Sequence, residues 1–303
     1  MEESARVAVE DCMKLTSDET VLVVSDEERR HIGRALVDAT RDTDATTVYA
    51  EIAADEEHGS EPPEPIAAAM CASDVVLAPT TRSLTHTEAR KAACEAGARV
   101  GTMPSITTEV MEGAMCADYT EVAESAEELL DAFEGVEEVR IESEAGTDLT
   151  LEVGKRDWHP DDGLCHEAGC VTNLPAGEVY VAPTGGEGTL VVDGSFASIG
   201  RLDEPVRVEF EDGRATYVSH YGLRERMDAA GDCGRNLAEL GVGVNPAATL
   251  VGNVLQDEKV RGTVHVAVGD SSGFGGDVEC DLHLDGVVKE PRIYADGETL
   301  ELP

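Results

Sequence analysis

Two histidines and an aspartate near the C-terminus have the types and spacing of ligands for a divalent transition metal: His265, and the pair His283 and Asp285. Residues 263–269 and 281–285 both read as β-strands, in which side chains alternate faces with period two. Val264, Val266 and Val268 then point into a core, and His265 stands on the other face beside Ala267 and Gly269, where there is almost no side-chain bulk. In the second stretch Leu282 and Leu284 go to the core while His283 and Asp285 share the opposite face. The bland alternative is a pair of half-exposed strands carrying hydrogen-bonded polar residues, because His-x-Asp is a short motif.

Two carboxylates sit where the backbone is unusual. Glu178 lies where a tight turn, with Pro175 and Gly177, enters a strand, and Glu239 lies at an expected helix end ahead of Gly241, Gly243 and Pro246. Glycine and proline on both sides suggest backbone held in special geometry, which is common around sites. Either glutamate alone is more often a surface residue than a ligand.

The elements that must position these groups fall into two patterns. Over residues 1–135, apolar runs at 20–25, 46–50, 74–78 and 98–101 alternate with helical stretches at 26–39 and 85–96. Such a series predicts an α/β domain with a parallel sheet, whose ligands bind beyond the strand C-terminal ends. The third strand runs into the hydroxyl-rich segment 79–87, where His86 either contacts a substrate or caps the following helix. An acidic helix at 121–133 closes this domain. Over residues 136–303 the strands alternate as half-buried strands do, at 139–142 and 148–153, and Asp212-Gly213 between two such runs signals a hairpin. One helix is expected at 224–240. The second domain is therefore a mostly antiparallel α+β unit that carries the metal site. The glycine-rich segment 269–277 reads as a loop between two strands rather than a phosphate cradle, and no nucleotide-binding motif follows the first strand.

Composition narrows the class. The chain has 303 residues, of which 41% are hydrophobic, enough for a real core. It carries 63 acidic against 23 basic residues, a net charge of −40. Lysine is confined to Lys14, Lys91, Lys155, Lys259 and Lys289. Acids spread along the whole chain suit a halophilic protein, because salt near 1 M shortens the Debye length to about 3 Å and screens the self-repulsion. A basic partner would more often meet a concentrated acidic tail. Nucleic-acid binding is disfavoured for want of basic patches. No apolar run reaches membrane-span length and the start lacks a signal-peptide pattern, so a cytoplasmic protein is expected. The eight cysteines form no Cys-x-x-Cys pair. Free thiols are expected rather than disulfides, with Cys165-His166 and Cys170 the nearest approach to a metal cluster.

Taken in chain order, residues 83–87, 146–150, 173–183, 239–246, 257–259, 262–269 and 283–285 resemble the thermophilic-type metallo-aminopeptidases, called aminopeptidase T, S or II, over most of residues 80–290. The resemblance implies two divalent ions (Zn, Mn or Co) held by Glu178, Glu239, His265, His283 and Asp285, with Glu239 the bridge, and a homodimer acting on a peptide substrate. Glu258 is then a candidate general base, or equally an ordinary salt-bridged residue. The family's tyrosine falls on Ser272 in this chain, which leaves a non-catalytic metal-binding relative as a further reading. The chain is also similar to 2,5-dihydroxypyridine dioxygenase-type enzymes. That likeness implies a single Fe(II) on His265, His283 and Asp285, a small-molecule substrate, and help from His86 or His166. A two-metal centre needs its ions about 3.5–4 Å apart with a bridging carboxylate, and the presence of both glutamates favours the hydrolase.

Overall fold

The computed structural model describes residues 1–55 and 57–303 and divides into two units. The first comprises Met1–Ala123 with Asp162–Ala176. Its centre is a five-stranded, all-parallel sheet in the order Thr46–Ile52, Thr20–Asp26, Val75–Thr80, Arg99–Pro104, Val171–Asn173. Thr20–Asp26 and Val75–Thr80 are buried almost throughout, as continuous apolar strands covered on both faces should be. Helices Arg30–Asp42, Glu64–Cys71 and Glu88–Glu95 fall between the strands. The expected boundary at residue 135 assigned the fifth strand to the second domain, whereas Val171–Asn173 pairs with Arg99–Pro104.

Where the third and fourth strands end, hydroxyls and one amide form a neutral network. Thr102 Oγ1 donates to Asn173 Oδ1 at 2.6 Å, Thr85 Oγ1 lies 3.1 Å from the same oxygen, and Ser83 Oγ donates to Thr85 Oγ1 at 2.9 Å. At the sheet's other end Glu19 forms a two-pronged pair with Arg99, at 2.8 and 3.0 Å.

The second unit, Glu124–Asp161 with Gly177–Pro303, holds two seven-stranded antiparallel sheets. One contains the hairpin Val206–Glu211/Arg214–Val218, turned at Asp212 and Gly213 with φ of 49° and 72°, the left-handed pair a two-residue turn requires. The other runs Gly200–Arg201, Ser195–Phe196, His283–Val288, Val264–Gly269, Leu237–Gly243, Glu178–Val181, His159–Asp161, and positions the candidate site.

Two expectations fail in this unit. The helix expected over 224–240 is instead Tyr221–Ala229, a 3-10 turn at Gly231–Arg235, and then a fully buried strand, Leu237–Gly243. Gly231 (φ 78°) breaks the helix, and a Cβ at Gly234 would come 2.3 Å from the Met227 carbonyl oxygen. Four cysteines are paired rather than free, as Cys165–Cys170 and Cys233–Cys280. Their separations of 5 and 47 residues carry no spacing signature, because only folding brings those Cα atoms within 5.5 and 5.6 Å. Among the described residues no helix is long and apolar enough to cross a membrane.

Candidate metal centre

Four adjacent strands deliver the five donors. Glu178 opens Glu178–Val181, directly after Gly177, whose φ of 129° suits only glycine and whose Cβ would lie 2.6 Å from Asn245 Cβ. Glu239 lies within Leu237–Gly243, where an irregularity in register between Leu237 and Glu239 interrupts the pairing with Val264–Gly269. His265 is opposite Gly241 in that pairing, and a Cβ on Gly241 would stand 2.0 Å from His265 Nε2. The glycine thus leaves the room that the imidazole fills. His283 and Asp285 share one face of His283–Val288, paired with Gly269 and Ala267.

The side chains converge on Glu239. His265 Nε2 is 3.3 Å from Glu239 Oε1 and 3.1 Å from Glu178 Oε2. His283 Nε2 is 3.3 Å from Glu239 Oε2 and 3.2 Å from Asp285 Oδ1. The donors therefore form two three-residue groups, Glu178/Glu239/His265 and Glu239/His283/Asp285, each compact enough to surround one ion. His283 Nδ1 donates to the Asp270 carbonyl at 2.8 Å, which fixes the ring so that Nε2 faces the carboxylates. The His265 side chain is 0% exposed and that of His283 31%, so the cluster is open on the His283 side.

Lys259, which no motif in the sequence marks for a role, completes the electrostatics. Its Nζ donates to Glu178 Oε1 at 2.8 Å and also to Glu258 Oε1, and the lysine is wholly buried. Burial opposes ionisation of Glu178, yet the Lys259 ammonium and the His265 imidazole hold its carboxyl down to about 2. Burial likewise opposes ionisation of Asp285, and His283 overrides it, bringing that group to about 2. Burial pushes Glu258 up to about 8; Lys259 pulls it back, while the charges of Glu178 and Asp285 add to the rise. Both histidines are driven above the usual imidazole range against the cost of burial, His265 by Glu178 and Glu239, His283 by Asp285 and Glu239.

The donor set suits a divalent cation. Carboxylate oxygens and imidazole nitrogens are ligands that first-row divalent ions share. Glu178 Oε2 is buried and receives no hydrogen bond, although two cationic or cationisable groups flank its carboxylate. An orphaned buried acceptor of this kind calls for a partner.

The remaining candidates stand elsewhere. Ser272 is exposed in the 3-10 turn Ser272–Phe274, and its Oγ donates to Asp270 Oδ1 at 2.9 Å. Glu258 lies outside the five-donor set, and its Oε1 accepts from Lys259 Nζ. His86 is exposed in the turn ahead of helix Glu88–Glu95, and the residue that caps that helix is Thr87. His166 donates from Nε2 to the Asp11 carbonyl at 2.8 Å. The aromatic neighbours of the cluster, Tyr180 and Phe274, gave no signal in the sequence beyond their proximity to Glu178 and to the glycine-rich loop.

The chain thus has an α/β unit with a parallel sheet and an antiparallel unit that carries a candidate metal centre. The family model for 2,5-dihydroxypyridine 5,6-dioxygenase matches residues 3–301, and the chain belongs to that family. The structure of 2,5-dihydroxypyridine dioxygenase from Pseudomonas putida KT2440 superposes with a TM-score of 0.83 at 18% identity, covering 99% of this chain and 95% of that one. Wild-type AmpT from Thermus thermophilus superposes with a TM-score of 0.72 at 19% identity, covering 99% and 96%. At such identities the two superpositions speak for the fold. A search of curated protein sequences gives no match.

Proposed function

We propose that this chain is a metal-dependent dioxygenase that opens a hydroxylated aromatic ring, with one Fe(II) held within the cluster of Glu178, Glu239, His265, His283 and Asp285. The observation that carries this reading is the dioxygenase family model, which matches from residue 3 to residue 301. Charge supports it. The cluster's three carboxylates outnumber its one lysine, Lys259, and a divalent ion would offset the excess of acidic groups. A bound Fe(II) would supply the one-electron chemistry that lets dioxygen react with an aromatic ring.

The chain's own residues have separate tasks in this reading. The Asp270 carbonyl keeps His283 in the tautomer that offers Nε2 to the ion. Lys259 holds Glu178 ionised and in place. Glu258, raised above the usual carboxylate range by burial, accepts from Lys259 Nζ beside the site.

A second reading, the two-metal aminopeptidase, is favoured by one specific observation: the two oxygens of Glu239 face different histidines, so each three-residue group could take its own ion. Elemental analysis of protein purified in concentrated KCl, followed by oxygen-electrode assays with 2,5-dihydroxypyridine and release of anilide from a leucine anilide, separates the two. One iron per chain with oxygen uptake is the expected result. Two Zn, Mn or Co per chain with anilide release would overturn it.

A further inference from the structure

The open side of the donor cluster, next to His283, is bordered by aromatic rings. The Phe274 ring stands edge-on to His283, with centroids 5.9 Å apart and planes at 89°. Tyr180 stands edge-on to Phe274 at 5.5 Å and 84°, and His159 packs against Tyr180 at 5.7 Å. Tyr180 follows Glu178 by two residues, so in an extended strand the two share a face.

These rings are not being used as core. The chain has four phenylalanines; Phe133, Phe196 and Phe210 are each at most 2% exposed, and only Phe274 stands half-buried on a loop. That loop is held in place. The Arg156 guanidinium donates to the Gly275 carbonyl and pairs with Asp277, and Gly276 N donates to the Ser271 carbonyl at 2.9 Å. Gly275, at φ 93°, makes the turn directly after Phe274.

We propose that Phe274 and Tyr180 are specificity-determining residues, forming an aromatic wall beside His283 that selects a flat ring over a saturated or peptide substrate. The inference deepens the dioxygenase reading and rests on it for the position of the substrate. An aromatic ring packed on such a wall gains about 0.5–1.5 kcal/mol beyond its area burial, which corresponds to about 2- to 12-fold in affinity. A saturated ring of similar size keeps the burial and loses that increment.

The test is equilibrium binding to the full-length, zinc-loaded protein, read by calorimetry without turnover. The probes are 2,5-dihydroxypyridine and cyclohexane-1,4-diol. Phe274→Leu and Tyr180→Leu should each weaken the planar probe by about 2- to 12-fold and leave the saturated one nearly unchanged, while Tyr180→Phe, which keeps the ring, retains planar binding. Equal losses for both probes, no loss for either, or a Tyr180→Phe variant as weak as Tyr180→Leu would overturn the wall. Should a leucine variant fold poorly, proton NMR of the planar probe on wild-type protein decides. Upfield ring-current shifts are expected, and their absence rejects the proposal. Oxygen uptake is a separate readout. A protein that binds the flat probe through these rings yet consumes no oxygen sinks the dioxygenase reading alone, and one that consumes oxygen without discriminating between the probes sinks the wall alone.

Discussion

In the parallel-sheet unit, Ser83, Thr85, Thr102 and Asn173 meet at strand ends as uncharged groups that satisfy one another. In the antiparallel unit, Glu178, Glu239, Asp285, His265 and His283 also meet on strands, with Lys259 beside them from a turn, but as ionisable groups, and Glu178 Oε2 and His265 Nδ1 are left without hydrogen-bond partners. The hydroxyls of the first cluster are spent on one another and on Asn173 Oδ1. The second is assembled at the cost of desolvating several ions and still has donor capacity to spare. A polar cluster reads as structural when its groups saturate each other, and as a site when they do not.

Substitution can break that contrast, and the largest effect should come from Lys259. Lys259→Met leaves Glu178 and Glu258 in a buried site without their cation, and should cost about 3–5 kcal/mol in urea-melt stability of metal-free protein. A loss below about 1 kcal/mol would mean that the ammonium is not what holds the carboxylates together.

Glu239→Gln addresses the site directly. It removes the charge shared by both three-residue groups, and metal affinity measured with a competing chelator should fall by at least the 10- to 100-fold seen for outer-shell changes. An unchanged affinity would place the ion elsewhere. Protons and metal compete for the same histidines, so loading should release protons and strengthen as pH rises.

In the closed network the expectation is smaller. Thr102→Val removes one donor to Asn173 and should cost about 1–3 kcal/mol in stability with no change in metal content. Smaller again is the Glu19–Arg99 pair. The Arg99 hydrogen bond holds the Glu19 carboxyl below its usual 4.5, so the pair's contribution is present above that pH and fades as pH falls through the lowered value. Arg99→Met should flatten the acid limb of stability measured against pH. Across both units, raising KCl from 0.1 to 1 M should raise the melting temperature, because a net charge of −40 repels itself least when screened.

The closed cluster and the open one were not equally legible. The strands bearing His265, His283 and Asp285 could be read because period-two alternation with valine and leucine marks both the element and the face. The first four strands of the parallel sheet could be read as apolar runs of strand length. The helix formers of residues 224–240 place Glu239 at a helix end, and the tertiary pairing that makes 237–243 a strand leaves no local mark. Lys259 is one of five lysines in a chain that otherwise avoids them and lies in the 257–259 segment of the resemblance, but neither mark assigns it a role. The fifth strand and the Cys233–Cys280 disulfide depend on contacts between distant segments, which no window of sequence contains, whereas Cys165 and Cys170 lie only 5 residues apart without a recognised pairing motif.

The Cys233–Cys280 link has a consequence for the molecule's history rather than its chemistry. Cys233 lies just before the strand carrying Glu239, and Cys280 just before the strand carrying His283 and Asp285. If heat or denaturant melts the sheet while the bond persists, these three donors remain tethered at high effective concentration instead of dispersing along the coil. Re-formation of their half of the centre then starts from a closed loop, with most of the search already done.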